Sequence, residues 1–173
     1  MRPWTALALI LTLAACAQTP GFEDHGGDRD RRGEVQALLP QYPQPENYLP
    51  FEVGAITPFV FYVDAKSLSV GADRVVRYTV IAKSSDGALN ISFEGMRCAE
   101  REFRIYAFGR ADNTWSEARN SRWEAIRSDP RNAQRAVLFS DFFCPVTGDI
   151  ATAEEGVRVL KSGGNPRATR SDY

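Results

Sequence analysis

One histidine, His25, serves the whole 173-residue chain, and it stands outside the stretch whose hydrophobic pattern describes a folded domain. With no imidazole in that domain, serine triads, histidine-held metals and histidine general bases are excluded from it. Charge of one sign is lacking too, since 21 Lys+Arg stand against 22 Asp+Glu. Binding nucleic acid through its phosphates needs a basic surplus, so no nucleic-acid partner is expected. The glycines fall at neither G-x-G-x-x-G nor Walker spacing, which removes a phosphate-cradling loop, and no cofactor is expected. Long apolar runs are equally scarce. A single one, at the N-terminus, approaches membrane length and is too short to span a bilayer as a stable helix.

That opening run reads as a secretory signal over residues 1–15: Arg2 supplies the positive charge, and Ala6 to Leu13 form an apolar stretch broken by Thr12. Leu13-Ala14-Ala15-Cys16 resembles the bacterial lipobox, in which the cysteine thiol is diacylated and the chain is cut just before it. The resemblance implies a mature N-terminus at Cys16 that carries lipid, and so a membrane partner. Ala15-Cys16-Ala17 also fits the A-x-A pattern of an ordinary secretory site, which would release a soluble periplasmic protein. The lipobox is preferred, because the ordinary site asks for neither Leu13 nor Cys16. Each acyl chain contributes about 0.8 kcal/mol per buried methylene, so several chains together anchor a protein firmly. Ala17, rather than Asp, follows the cysteine, which by analogy with lipoprotein sorting favours the outer membrane facing the periplasm.

The segment 16–39 is rich in Gly and in charges of both signs, has few apolar residues to offset the entropy of ordering it, and reads as a flexible tether. His25 lies there beside Glu23 and Asp24; one imidazole and two mobile carboxylates offer a metal no preformed geometry, so it reads as a solvated linker histidine. Next, Pro40, Pro43, Pro45 and Pro50 favour an extended backbone punctuated by Tyr42, Tyr48 and Phe51. A proline-rich recognition segment is one reading. A strap laid on the domain's own surface is preferred, since so apolar a segment would otherwise be an unusually large exposed patch.

From Phe59 onward the pattern has period two, as half-buried antiparallel strands require. In the run Val75–Lys83, Val76, Tyr78, Val80 and Ala82 share one face; Leu89, Ile91 and Phe93 alternate with Asn90, Ser92 and Glu94 in the next run, and Asp86-Gly87 signals the hairpin between them. Phe103, Ile105 and Ala107 alternate likewise, with a turn at Arg110 to Asn113 before Trp115. Beyond, Asp129-Pro130 suits a helix start, with Ala133, Ala136, Val137 and Phe143 along one face, and Thr152 with Glu155 makes a capping box for a helix closed by Gly163-Gly164. Residues 163–173 read as a disordered tail. The expected fold is α+β: one domain over 40–162, an antiparallel meander of about four to six strands with one or two C-terminal helices packed on one face.

Three cysteines in an exported chain leave one over, and if lipid takes Cys16 then Cys98 and Cys144 form an even pair. A bond between them would staple helix to sheet. A reactive thiol is disfavoured, with no C-x-x-C and no histidine in the domain to activate it. Among chemistry-bearing groups, Asp64, Glu94, Glu100 and Asp141 could meet as a glycosidase-like carboxylate pair, although most such residues simply solvate a surface. Trp115 and Trp123, interleaved with Arg119 and Arg122, suit either a stacking platform for sugar or peptide or a closed core, with core preferred for Trp123. Arg77, Thr79, Asn90, Ser92 and Glu94 read as one polar sheet face, either a contact surface or simply the wet face that an antiparallel sheet commonly keeps.

The stretches LPQYPQPENYLPFEV and FYVDAKSLSVGADRVVRYTVIAKSSDGALNISFEGMRC, with WSEAR, RWEAI and DFFCP further on, resemble the CNP-like family, named for a cryptic neisserial protein. The resemblance runs from about Pro40 to Pro145 and implies an exported envelope protein of a Gram-negative bacterium; it supplies no catalytic or binding residues. The reading that results is a lipid-anchored envelope protein with a non-enzymatic binding or structural domain and an envelope protein or glycan as its partner. A periplasmic enzyme acting on glycan or peptide through a carboxylate pair is the alternative.

Overall fold

The structure, a computed structural model, describes residues 33–54, 57–130 and 132–168. Among them eight strands form one antiparallel sheet: β1 (Tyr48–Phe51), β2 (Phe59–Asp64), β3 (Ser69–Val70), β4 (Val75–Ser84), β5 (Leu89–Arg97), β6 (Glu102–Gly109), β7 (Trp115–Glu117) and β8 (Glu124–Ala125). The order is β1-β2-β4-β5-β6-β7, with β3 on β4 and β8 on β6. The sheet therefore exceeds the four to six strands expected. The surplus lies in pieces of two to four residues, too short for alternation to register.

β4 and β5 are the long central pair, joined where Ser84 N–H donates to Ala88 O at 2.9 Å and Gly87 takes a φ of 84°, the left-handed conformation a tight hairpin turn needs. Their register, from Val75 opposite Arg97 to Lys83 opposite Leu89, assigns the faces. Val76, Tyr78 and Val80 lie across from Met96, Glu94 and Ser92; Arg77, Thr79 and Ile81 lie across from Gly95, Phe93 and Ile91. The five polar residues expected on one wet face are thus divided between the two faces, and Arg77, Thr79 and Glu94 are buried. Alternation sorts residues within a strand, whereas register decides which rows of neighbouring strands coincide.

Both faces are covered. On one, Val76, Tyr78, Val80, Met96 and Phe103 pack against Leu138, Phe142, Phe143, Ile150, Val159 and Leu160 from the C-terminal helical layer. That layer comprises a helix at Ala133–Val137, a π-helical turn at Leu138–Phe143 and a helix at Ala153–Lys161. The expected start at Asp129 moves on by three residues, because Asp129 Oδ1 accepts from Asn132 N–H at 3.1 Å and closes a turn ahead of the helix. The Thr152 cap forms, with its Oγ1 accepting from Glu155 N–H at 3.2 Å, and the reciprocal bond of the box is shifted by one residue, the Glu155 carboxylate taking Ala151 N–H at 2.9 Å. Gly163 and Gly164 close the helix, donating to Leu160 O and Val159 O. Of the stretch expected as a tail, the structure describes residues up to Ala168. Asn165 is buried, with its N–H on Asp141 O at 2.7 Å and its side-chain amide on Phe142 O at 3.0 Å.

Cys98, just past β5, and Cys144, just past the π-helical turn, are joined by a disulfide with a Cα–Cα distance of 5.3 Å. It ties the helical layer to the central hairpin, as the pairing arithmetic anticipated.

Candidate functional site

Two charged centres stand on opposite faces of the sheet. The first is built on β4, β5 and β6, which carry Arg77, Arg97 and Arg104 on the face away from the helices, around the carboxylate of Glu34. Glu34 Oε2 accepts from Arg104 Nη1 at 2.9 Å and from Trp123 Nε1 at 3.2 Å, and stands 3.6 Å from Arg97 Nη2. Glu34 Oε1 accepts from the Tyr106 hydroxyl at 2.7 Å and lies 3.9 Å from Arg77. The Tyr106 hydroxyl is held well above its ordinary pKa by burial and then by this bond to the carboxylate. Tyr106 reaches the position because a bulge at Phe93/Glu94 makes it the extra residue of β6. Its ring lies over Gly95, where a Cβ would stand 2.5 Å from the hydroxyl oxygen, so the site needs glycine there.

Beside Glu34, Asp73 and Arg77 clamp the backbone N–H and C=O of one residue, Val35. Asp73 Oδ2 accepts from Val35 N–H at 2.7 Å, Arg77 Nη2 donates to Val35 O at 2.7 Å, and the two side chains bond each other at 2.6 Å. Burial works to raise the Asp73 pKa, but the Arg77 guanidinium and the N–H groups of Val35 and Val75 outweigh it and hold the carboxyl below its usual range. Glu34 and Val35, which fall in the segment read from sequence as tether, are therefore fastened to the domain at this point. The strap continues the attachment: Trp115 Nε1 donates to Pro40 O at 2.9 Å, the Tyr42 hydroxyl donates to Arg110 O at 2.8 Å, and the two rings pack with centroids 5.4 Å apart.

The second centre lies under the helices. Glu94, fully buried, accepts from Arg135 Nε at 2.8 Å and Nη2 at 2.7 Å, from Ser92 Oγ at 2.6 Å and from the Tyr78 hydroxyl at 3.4 Å. Arg135 also bonds Asn132 Oδ1 at 2.8 Å and lies 4.1 Å over the Phe103 ring. Burial opposes the Arg135 charge, and the Glu94 carboxylate more than restores it; the Tyr78 hydroxyl is pushed far up by burial first and by Glu94 next. A groove of about 360 Å³ opens beside this pair, between Ala82, Asn90, Ser92 and Phe108 of the sheet and Gln134 of the helix.

The residues singled out in the sequence distribute as follows. Cys16 and His25 lie outside the described residues. Glu94 is spent on Arg135, Asp64 is buried and accepts from Lys66 N–H, Asp141 bonds Ser140, and Glu100 is exposed in the turn after Cys98. Burial raises the Asp64 pKa, its hydrogen bonds opposing. Trp123 is buried and Trp115 half-buried, but the arginines over Trp123 are Arg97, 4.0 Å from the ring centroid, and Arg104; Arg119 is exposed and Arg122 pairs with Glu124. The grouping of three metal-ligand side chains found among the described residues is Cys98, Cys144 and Asp149, and its two sulfurs are bonded to each other. Sequence reasoning missed Glu34, Asp73, Arg97, Arg104, Tyr106 and Arg135. Arg77 was the available signal: a cation in a strand row otherwise holding Val75, Thr79 and Ile81 demands a buried anion.

Residues 28–161 match the CNP1-like family. The chain belongs to that family. The matched span is wider than the stretches that first suggested it, and takes in both charged centres and both bonded cysteines. No curated protein and no solved structure matches the chain.

Proposed function

We propose that this member of the CNP1-like family is an exported lipoprotein of the bacterial envelope, anchored through Cys16, whose α+β domain is a non-enzymatic binding module. The observation that carries the reading is the cysteine pairing: Cys98 and Cys144 take each other, which leaves the third cysteine for the lipobox-like Leu13-Ala14-Ala15-Cys16. A disulfide also suits an oxidising compartment. Among the described residues, no helix is long and apolar enough to cross a membrane. The sorting analogy favours the outer membrane facing the periplasm, with an envelope protein or glycan as partner. Glu94, the best-buried carboxylate, is neutralised by Arg135, which weighs against the carboxylate-pair enzyme.

The test is fractionation of the full chain and its Cys16→Ala variant in a Gram-negative host. Transfer of the variant from the membrane to the soluble periplasmic fraction supports the anchor, and continued membrane association of the variant refutes it. A wild-type chain found soluble would favour ordinary signal cleavage. Crosslinking of the anchored chain in cells then identifies what the domain touches.

A further inference from the structure

The segment from Glu34 to Tyr42 is held in the way a domain holds a bound peptide. Among the described residues its main chain makes no hydrogen bond to the main chain of the sheet. Side chains of the domain do the work: Asp73 and Arg77 take the N–H and C=O of Val35, and Trp115 takes the carbonyl of Pro40. Such contacts read backbone and are indifferent to side-chain identity. One side chain is read chemically. Glu34 enters a box of three guanidiniums, a phenol and an indole N–H, all donors, a set that selects a carboxylate. Val35, Leu38 and Leu39 remain exposed at 49%, 79% and 43%, so burial of these three apolar residues is not what holds the segment. Arg77 Nε is buried with no partner among the described residues.

We propose that this face is a receptor for an extended peptide bearing an acidic side chain, occupied in cis by Glu34–Tyr42 and available to the same chemistry on another polypeptide once that segment leaves. Glu or Asp enters the box, the backbone N–H and C=O of the next residue are taken by Asp73 and Arg77, and the chain runs on toward Trp115. The cis segment competes at the effective concentration of a tethered ligand, of millimolar order for short links, so the resting state is self-occupied. The proposal rests on the binding-module half of the reading above and is independent of the lipid.

The experiment uses the full chain carrying Glu34→Ala and a labelled synthetic peptide spanning Gly33 to Pro43 (GEVQALLPQYP). The variant should bind the peptide in trans, and a peptide with Gln in place of its Glu should bind at least about tenfold more weakly, since a charge-assisted contact is lost. Wild type should bind the Glu peptide at least about tenfold more weakly than the variant, because its own segment holds the site. Adding Arg104→Ala to the variant should abolish binding. Equal binding of Glu and Gln peptides, equal binding by wild type and variant, or no binding by a variant with intact disulfide and sheet would each overturn the proposal. Should Glu34→Ala not fold, Glu34→Gln, which keeps the shape of the side chain, takes its place. Failure here leaves the Cys16 fractionation result untouched, so the two readings stand or fall separately.

Discussion

The carboxylate of Glu94 and the guanidinium of Arg135, 41 residues apart, meet through two hydrogen bonds of 2.7 and 2.8 Å between the sheet and the helical layer. Taking two ions out of water is costly, and the pair survives because each partner neutralises the other while Ser92, Tyr78 and Asn132 satisfy the remaining atoms. Glu94→Ala or Arg135→Ala alone should therefore cost about 3–5 kcal/mol in denaturant unfolding, by leaving one buried charge uncompensated. The double replacement Glu94→Leu with Arg135→Met should lie much nearer wild type. Additive losses in the double variant would contradict this account.

The disulfide predicts symmetry. Cys98→Ser and Cys144→Ser open the same loop and should each lower stability by about 4 kcal/mol, an upper figure from chain entropy alone. Reduction of the wild-type protein should give a similar fall in melting temperature. A large loss from one substitution and little from the other would assign the sensitive cysteine a separate role.

Acid should loosen the N-terminal segment. Asp73 has a folded-state pKa below its unfolded value of about 3.9, so its contribution is complete above that pH and disappears as pH falls through the folded value. On protonation Asp73 loses its charged bond to Arg77 and weakens its hold on Val35. Stability should therefore decline below about pH 4, and Asp73→Asn should remove part of that decline while lowering stability near neutrality. An Asp73→Asn profile parallel to wild type at all pH values would remove Asp73 from the explanation.

The strap should divide into a dispensable and an indispensable part. Phe51, 6% exposed, packs against Phe61 and Phe142 in the main core, so Phe51→Ala should cost about 3–5 kcal/mol. Tyr42 touches Trp115 and Arg110 at the surface, and Tyr42→Ala should cost much less while altering Trp115 fluorescence. Comparable melting temperatures for the two variants would show that the strap acts as one unit.

Much of the scaffold was legible because local chemistry and global fold agree. Asp86-Gly87 marks the hairpin that aligns β4 with β5, and Thr152 with Glu155 marks a helix start that Thr152 caps. The charged centres were not legible, for a different reason in each case. Glu34 sits in a stretch whose composition says tether, and its partners lie 43, 63 and 70 positions on. Glu94 alternates correctly with Phe93, but only the pairing of Tyr78 with Glu94 and of Thr79 with Phe93 shows that the polar row faces the helices. Asn165 was read as tail because nothing local announces that its amide will reach Phe142 O. Long-range partners of this kind are properties of register and packing, which a one-dimensional pattern carries weakly.

The placement of Glu34 also sets a load path. Its donors stand on three adjacent inner strands, Arg77 on β4, Arg97 on β5 and Arg104 on β6, whereas β1, which follows it in the chain, is an edge strand. Tension applied to the chain ahead of Glu34 is delivered first to the middle of the sheet and shared across three strands. Peeling would otherwise start at β1 and run strand by strand into the sheet. The ion cluster is thus a strain relief, and force must break it before it reaches the edge.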